Sequence, residues 1–243
     1  MSDLGTLIAL AVIALTVIGL GWWLLIESEG VYLGRRVVIW LYDLYAGRYD
    51  DIKHFRQDYD HLYLAQPIME RIAPSRAPLV LDVATGTARL PLALLRHKHF
   101  SGRVYAADLS RRMLSQAALK IDRYAREYQE PAPVMLLCAD AERLPYSDAT
   151  FDVVTCLEAF EFMPNPTAAL RECVRVLRPG GLLLITNRLT GRWMPGKTWT
   201  QPELTLLLMS MGIDQVTFDP WQVDYIRVWG VKLTSTRSDL SST

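Results

Sequence analysis

The hydrophobic pattern of the chain opens with an uninterrupted apolar segment. Residues 4–26 read LGTLIALAVIALTVIGLGWWLLI and contain no charged side chain. A helix of this length spans roughly 35 Å at ~1.5 Å per residue, enough to cross a hydrocarbon layer of ~30 Å. Trp22 and Trp23 lie near one end, where aromatic rings favour the membrane interface. The pattern predicts a retained transmembrane helix, with a buried core helix as the alternative.

The residues that flank this segment predict its orientation. The leader, Met-Ser-Asp, lacks the basic residues of a cleaved signal peptide, and no convincing Ala-x-Ala cleavage site follows. The nearest basic residues, Arg35, Arg36, Arg48 and Lys53, all come after the segment. The positive-inside rule therefore predicts a single-pass protein of the cell membrane, with its N-terminus outside and the rest of the chain in the cytoplasm.

The next segment, 29–74, is rich in Tyr and Trp, and residues 37–45 are mostly apolar. Three readings stay open for this part of the chain. It could form a helix along the membrane surface, a helix that covers an active site, or an ordinary packing helix.

Strand-like and helix-like stretches then alternate. The strand-like runs are 79–84, 103–107, 134–139, 151–157 and 182–187, and the helix-like stretches between them are 88–97, 111–128 and 167–177. Such alternation predicts a parallel sheet with helices on both faces.

The end of the chain departs from this alternation. A helix at 202–211 is followed by strand-like runs at 215–221 and 224–233. Because so short a connection cannot hold a crossover helix, these two strands should pair antiparallel. We therefore expect an α/β fold with a seven-stranded, mostly parallel, Rossmann-like sheet, an antiparallel C-terminal hairpin and one N-terminal transmembrane helix. The expected division is an anchor (1–28), an aromatic cover segment (29–74), the sheet domain (75–233) and a disordered tail (234–243).

Composition narrows the possible partners. The 243 residues carry no formal net charge, and 51% of them are hydrophobic. This balance argues against a nucleic-acid binder, which would carry a basic excess. Cys138, Cys156 and Cys173 lie inside apolar runs, with no CxxC or His/Cys cluster. They predict buried free thiols in a reducing compartment and no metal site.

Acidic residues fall at the expected carboxyl ends of the strands, where open α/β sheets bind ligands. Asp82 lies in the first strand, Asp140 follows the third, and Asp108 follows the second, 22 residues after Gly86. An acidic residue about 20 residues past a glycine turn can bind ribose hydroxyls. Asp108 could alternatively be a simple helix N-cap, but its spacing to Gly86 favours the cofactor role.

Several motifs, taken in order, resemble those of class I S-adenosylmethionine-dependent methyltransferases over roughly residues 42–232. LDVATGTA resembles motif I of that family, and AADLSRRML resembles its acidic motif. CADAERLPYSDATFDVV and LRECVRVLRPGGLLLITN resemble its later motifs, and the terminal hairpin is a further feature of the family. YDLYAGRYDDIK and DVATGT are most similar to the ubiquinone/menaquinone C-methyltransferase group.

The resemblance implies S-adenosylmethionine as the cofactor. The backbone of Ala84, Thr85 and Gly86 would approach its methionine part, and Asp82 would orient that part through its amino group. Tyr49 would close over the site.

The remaining cofactor contacts follow from the same resemblance. Asp108 would bind the ribose hydroxyls, and Leu109 would pack on the adenine. Asp140 and Ala141 would contact the adenine edge, and Glu158 would border the methyl-transfer face.

One motif departs from the family pattern. The family's GxGxG appears here as Ala84-Thr85-Gly86-Thr87-Ala88. We expect Ala84 to adopt a non-positive φ and Ala88 to narrow the space beside the ligand. Gly86, where close backbone approach matters most, is present, which favours retained cofactor binding.

The resemblance and the anchor together predict a membrane-anchored methyltransferase. A tethered domain meets lipid-soluble acceptors at high local concentration, so the expected substrate is a hydrophobic small molecule such as a quinone precursor. His54, His61 and Glu161 are weak candidates for a general base, since each is more typical of a surface or capping position. No catalytic residue is assigned.

Two other classes of function are weighed against this one. A methyltransferase-like accessory subunit of a membrane complex is the main alternative, because Gly5, Gly19 and Gly21 would permit close contacts between membrane helices. A nicotinamide dehydrogenase is disfavoured, since the chain has no GxGxxG turn and the terminal hairpin does not suit that fold.

Overall fold

The computed structural model describes residues 2–50, 57–189 and 198–234. Lys53, His54 and all of the predicted tail except Thr234 lie outside these residues. Helix α1 (Ser2–Trp22) continues through a π-helical turn, Trp23–Glu27.

The stretch Leu4–Glu27 is the one helix in the described part of the chain that is long and apolar enough to cross a membrane. None of its most apolar window is buried in the protein, so it is not a core helix. A signal sequence would meet the same test of length and composition.

The cover segment begins within a turn at residues 28–34 and continues as short helices. They are α2 (Arg35–Tyr45), a 3₁₀ turn (Ala46–Arg48), α3 (Gln57–Asp60), a π-helical turn (His61–Ala65) and α4 (Gln66–Arg71). The amphipathic pattern of α2 buries Val38, which packs with Val31 and Phe162. This contact attaches the foot of α1 to the sheet domain.

Seven strands form one sheet. They are β1 (Leu79–Val83), β2 (Arg103–Asp108), β3 (Val134–Cys138), β4 (Phe151–Cys156), β5 (Leu177–Arg188), β6 (Ile213–Pro220) and β7 (Tyr225–Lys232). Their order is β3-β2-β1-β4-β5-β7-β6. The first five in that order are parallel, and β7 is antiparallel to both of its neighbours. The predicted fold class is therefore confirmed.

Helices cover both faces of this sheet. They are α5 (Arg89–Leu95), α6 (Arg111–Tyr128), α7 (Pro166–Val176) and α8 (Gln201–Ser210), and the predicted bounds of α6 are the same. Phe151 and Leu170 belong to the core on one face, and Leu94 and Trp229 to the core on the other. Central parallel strands read as continuous apolar runs because both of their faces are buried in this way.

Strand β5 begins five residues before the predicted start at 182. Leu177 already pairs with Phe151, and the register then jumps to Val153 opposite Leu182. A Cβ at Gly181 would lie only 2.8 Å from the Arg178 carbonyl oxygen, so the bulge between these pairs requires glycine there.

The expectation of three buried thiols is wrong for one of them. Cys156 and Cys173 are buried, whereas Cys138 is exposed. The reason is topological, because β3 lies at the edge of the sheet and its side chains are less covered than those of a central strand.

Candidate functional site

A cleft opens at the carboxyl ends of the parallel strands, between β1 and β4, where the strand order reverses direction. This is the topological switch point at which open α/β sheets bind ligands. The cleft encloses about 140 Å³. Its lining includes eight of the sequence-predicted residues: Tyr49, Ala84, Gly86, Asp108, Leu109, Asp140, Ala141 and Glu158. The other two, Asp82 and Thr85, line an adjoining pocket of about 50 Å³.

The loop after β1 turns sharply into α5. Ala84 has a φ of 56°, Gly86 of 56° and Ala88 of 65°. The expectation of a non-positive φ at Ala84 is therefore wrong, and an L-residue in this region carries about 1–2 kcal/mol of strain. The positive φ of Ala84 has a geometric cause, because the chain must turn from β1 into α5 within a few residues.

Ala88 does not narrow the cleft as expected. Its side chain is fully buried and packs with Leu92, Ala117 and Ile121 between α5 and α6. Gly86 is the loop residue that matters for access, because a Cβ there would face the Tyr49 ring at 4.0 Å.

The Asp108 carboxylate ties this loop to β2. One oxygen accepts the Gly86 N–H at 2.8 Å, and the other accepts the Ser110 N–H at 2.8 Å. Burial raises the pKa of Asp108, while the backbone donors oppose that rise. The helix N-cap is Ser110, whose hydroxyl accepts the Met113 N–H, so the capping alternative for Asp108 is wrong.

Helix α2 lies over the cleft, as the reading of a helix that covers an active site predicted. Arg35, at its start, forms an ion pair with Asp140. Burial alone would raise the pKa of Asp140, but the hydrogen bonds from Arg35 and from the Glu142 N–H outweigh it, so that pKa is lowered. In the sequence, Arg35 served only to predict the orientation of the apolar helix in the membrane. No pattern there indicated that it pairs with Asp140. On the outer face of α2, Trp40 is 57% exposed.

The adjoining pocket combines acidic and basic groups. Arg89 donates from Nε to Asp60 at 2.7 Å and from Nη1 to Glu158 at 2.9 Å. Its guanidinium also lies 4.8 Å from the centre of the Trp221 ring. Sequence reasoning missed Arg89, although its place directly after the glycine loop is a signal that could have suggested it.

Asp82 lies at the inner wall of this pocket and is 3% exposed. Its oxygens accept the hydroxyls of Thr85 at 2.7 Å and Thr155 at 2.6 Å. Burial raises the pKa of Asp82 to about 6 despite these two donors. The carboxylate therefore supports the loop from beneath.

We expect the Asp82→Asn substitution to change how stability depends on pH. A carboxyl with a raised folded-state pKa contributes stability that is present below its unfolded pKa, near 4, and is lost as the pH rises through about 6. Asn keeps the hydroxyl contacts without titrating. Between pH 4 and 7.5, the free energy of unfolding of the variant should therefore rise by about 2 kcal/mol relative to that of the parent. Urea unfolding at both pH values measures this, and parallel pH curves would contradict it.

The two candidate bases that the structure describes, Glu161 and His61, lie outside the cleft lining. Glu161 is 2% exposed and accepts the Tyr225 hydroxyl, and burial raises its pKa. His61 stacks on His97 with ring centres 5.3 Å apart, in a pocket that Pro74 and Ser75 line just before β1. His54 lies outside the described residues. In the part of the chain that the structure describes, no cluster of three His, Cys, Asp or Glu side chains could hold a metal ion.

Comparison with known proteins gives a consistent set of similarities. A family model described as a methyltransferase domain matches residues 81–185. The demethylmenaquinone methyltransferase of a Geobacillus species is 32% identical over 134 residues, which cover 55% of this chain and 54% of that protein. The ubiquinone/menaquinone biosynthesis C-methyltransferase UbiE of Roseobacter denitrificans is 31% identical over 157 residues, which cover 65% and 60%.

A solved structure extends the similarity to the fold. The S-adenosylmethionine-dependent methyltransferase from Aquifex aeolicus superimposes with a TM-score of 0.55 at 22% identity, over 74% of this chain and 100% of that one. The chain spans between about half and three fifths of the length of the two curated relatives.

Proposed function

Because the chain carries a class I S-adenosylmethionine-dependent methyltransferase domain close to the UbiE group, we propose that it is a membrane-anchored enzyme that methylates a hydrophobic, lipid-soluble small molecule. The observation that carries this proposal is the switch-point cleft, where Gly86, Asp108 and Asp140 converge beneath α2.

The cleft suits the adenosine part of the cofactor. Leu109, Met113 and Ala141 supply apolar walls for a flat ring. Asp108 offers carboxylate oxygens to ribose hydroxyls, and its bond to Gly86 keeps the loop close to the ligand. Asp140 lies beside Ala141 at the edge assigned to the adenine.

The adjoining pocket suits the methionine part, which is a zwitterion. Asp82 and Glu158 present carboxylates that complement an ammonium group, and Arg89 presents a guanidinium that complements a carboxylate. When bound, the cofactor supplies an electrophilic methyl group on a sulfonium sulfur. The protein's own contribution is then to position the acceptor and to exclude water.

Two tyrosines provide part of that exclusion. Tyr42 and Tyr49 line the cleft, with ring centres 5.9 Å apart. Burial, followed by nearby carboxylates, raises the pKa of both phenols well above the ordinary value. Both side chains are therefore neutral at physiological pH and form an uncharged cover.

The hydrophobic acceptor is argued from the anchor and the relatives. The apolar surface of α1 and of the outer face of α2, which includes Trp40 and Leu44, lies exposed next to the cover of the cleft. One relative is named for methylation of demethylmenaquinone, and the other for a C-methylation in ubiquinone and menaquinone biosynthesis. We therefore propose a quinone precursor as the acceptor, with the domain on the cytoplasmic side and the N-terminus outside.

Calorimetric titration of the full chain in detergent micelles with S-adenosylmethionine tests the cofactor site. We expect saturable binding with one site per chain. Absence of binding would contradict the enzyme and favour the accessory-subunit alternative. Binding without methyl transfer to any lipid extract would also favour that alternative.

We expect the double substitution Ile13→Arg with Val17→Arg to release the protein from membranes, because each Arg near the centre of a span costs about 2.5–3.5 kcal/mol. Both residues lie on the exposed surface of α1. Flotation with phospholipid vesicles measures the loss, and activity on a prenylated naphthoquinol should fall with it.

Leu119→Arg with Leu206→Arg is the matched control, because these exposed leucines lie on α6 and α8 of the sheet domain. The control should float with the vesicles as the parent does. Unchanged flotation of the α1 variant would overturn the anchor.

A further inference from the structure

A second cavity lies at the foot of the apolar helix. It encloses about 270 Å³ between the last turn of the stretch Leu4–Glu27 and helix α2. Leu25, Ile26 and Tyr45 form its partly exposed rim, and Leu41 lies buried in its wall. A cavity of about 150 Å³ with aliphatic and aromatic walls is enough to bind benzene. This cavity therefore has room for a larger apolar group.

Two polar groups in the wall, Tyr42 and Glu29, are paired with each other. The Tyr42 hydroxyl donates to the Glu29 carboxylate at 2.7 Å. Polar groups that are hydrogen-bonded to each other lose little solvation free energy when an apolar ligand displaces the water beside them. Most of the remaining wall is aliphatic or aromatic carbon, and the hydroxyls of Tyr45 and Tyr49 are its other polar groups, so the cavity favours hydrocarbon over a polar ligand.

Two tyrosine rings are shared between the walls of this cavity and of the cofactor cleft. Tyr42 and Tyr49 line both spaces, and Tyr49 also lines the pocket with Glu158 and Arg89. Turning one of these rings would join the two spaces. A molecule whose apolar chain lies in the cavity would then present its head at the methyl-transfer face.

We propose that this cavity is the acceptor's entry and tail-binding site, and that it takes one prenyl or acyl chain from the membrane. The inference rests on the proposed function. Because Leu25 and Ile26 end the apolar stretch, the rim lies where hydrocarbon meets the head groups. The acceptor enters sideways from the bilayer, and its head reaches the cleft without crossing water.

The test uses the full chain in lipid nanodiscs and a fatty acyl probe with a photoreactive diazirine near its methyl end. The variant Ile26→Trp fills the rim while remaining apolar, and Leu20→Trp makes the same change on α1 away from the cavity. We expect probe labelling of peptides that contain Leu41 and Tyr45 to fall about tenfold in Ile26→Trp only.

Kinetics on the same proteins give a second readout. Ile26→Trp should raise KM for a long-chain naphthoquinol about tenfold, leave kcat/KM for a chainless naphthoquinol unchanged, and leave Kd for S-adenosylmethionine unchanged. Labelling spread evenly along α1, or equal in parent and variant, would overturn the inference. If no variant or parent bound S-adenosylmethionine, the proposed function would fail, whereas the labelling would still decide what the cavity binds.

Discussion

Replacing Asp108 with Asn is expected to weaken S-adenosylmethionine binding by about 100-fold or more. Both carboxylate oxygens accept backbone N–H groups, from Gly86 and from Ser110. Asn has one acceptor oxygen, so its amide nitrogen would face one of these donors. The substitution thus loosens the loop and removes the charge offered to the ribose. Two hydrogen bonds from the ribose hydroxyls to a charged carboxylate would contribute about 3 kcal/mol or more to binding, which is about 100-fold in Kd.

Calorimetric titration of parent and variant with S-adenosylmethionine measures the effect. Asp152→Asn is the matched control, because Asp152 also accepts a backbone N–H, from Leu79, and pairs with Arg178. It lies at the amino end of β4, at the opposite edge of the sheet from the cleft. The control should keep the parental Kd within about threefold. Equal affinity in Asp108→Asn and the parent would show that the cofactor does not use this carboxylate.

Arg89→Ala is expected to cost about 3–5 kcal/mol of unfolding free energy near neutral pH, because it leaves buried carboxylates without their cation. The guanidinium pairs with both Asp60 and Glu158, and all three side chains are largely buried. Loss of the contact with the Trp221 ring adds to this cost. Urea unfolding in one detergent, followed by circular dichroism, measures the difference from the parent.

The pH dependence identifies the cause of that loss. Burial already raises the pKa of Asp60, and the charge of Arg89 opposes the rise. Removing Arg89 raises this pKa further, so the deficit of the variant should be smallest near pH 4 and grow as the pH rises to neutral. Arg178→Ala, which removes an arginine that is 53% exposed from its ion pair with Asp152, is the control and should cost less than about 1 kcal/mol. A deficit that did not change with pH would point to lost packing instead.

Much of the fold follows from local pattern. The periodicity of residues 111–128 predicted α6 with its observed bounds, and the short connection after residue 221 predicted the antiparallel hairpin. Both depend on near neighbours in the chain. The start of β5 was missed because a bulge, rather than an ordinary turn, accommodates Pro179 and Gly180.

The site shows the same division between local and distant information. The spacing of Gly86 and Asp108 indicated a contact between loop and strand, since parallel neighbours align their carboxyl ends. The same spacing could not predict the positive φ of Ala84, because that angle depends on how sharply the chain turns from β1 into α5. It also gave no direction for the Ala88 side chain, which depends on how α6 packs against α5.

The sequence by itself determined the element types, the sheet class, the exposed apolar helix and the acidic residues at the strand ends, because periodicity and turn chemistry act over a few residues. Tertiary structure alone decided that Arg35 reaches Asp140, that Arg89 joins Asp60 to Glu158, and that a cavity separates α1 from the cleft. These partners are far apart in the chain and come together only when the cover segment packs over the switch point. Burial then sets their energetics, because a charge removed from water must find its partner within the folded protein.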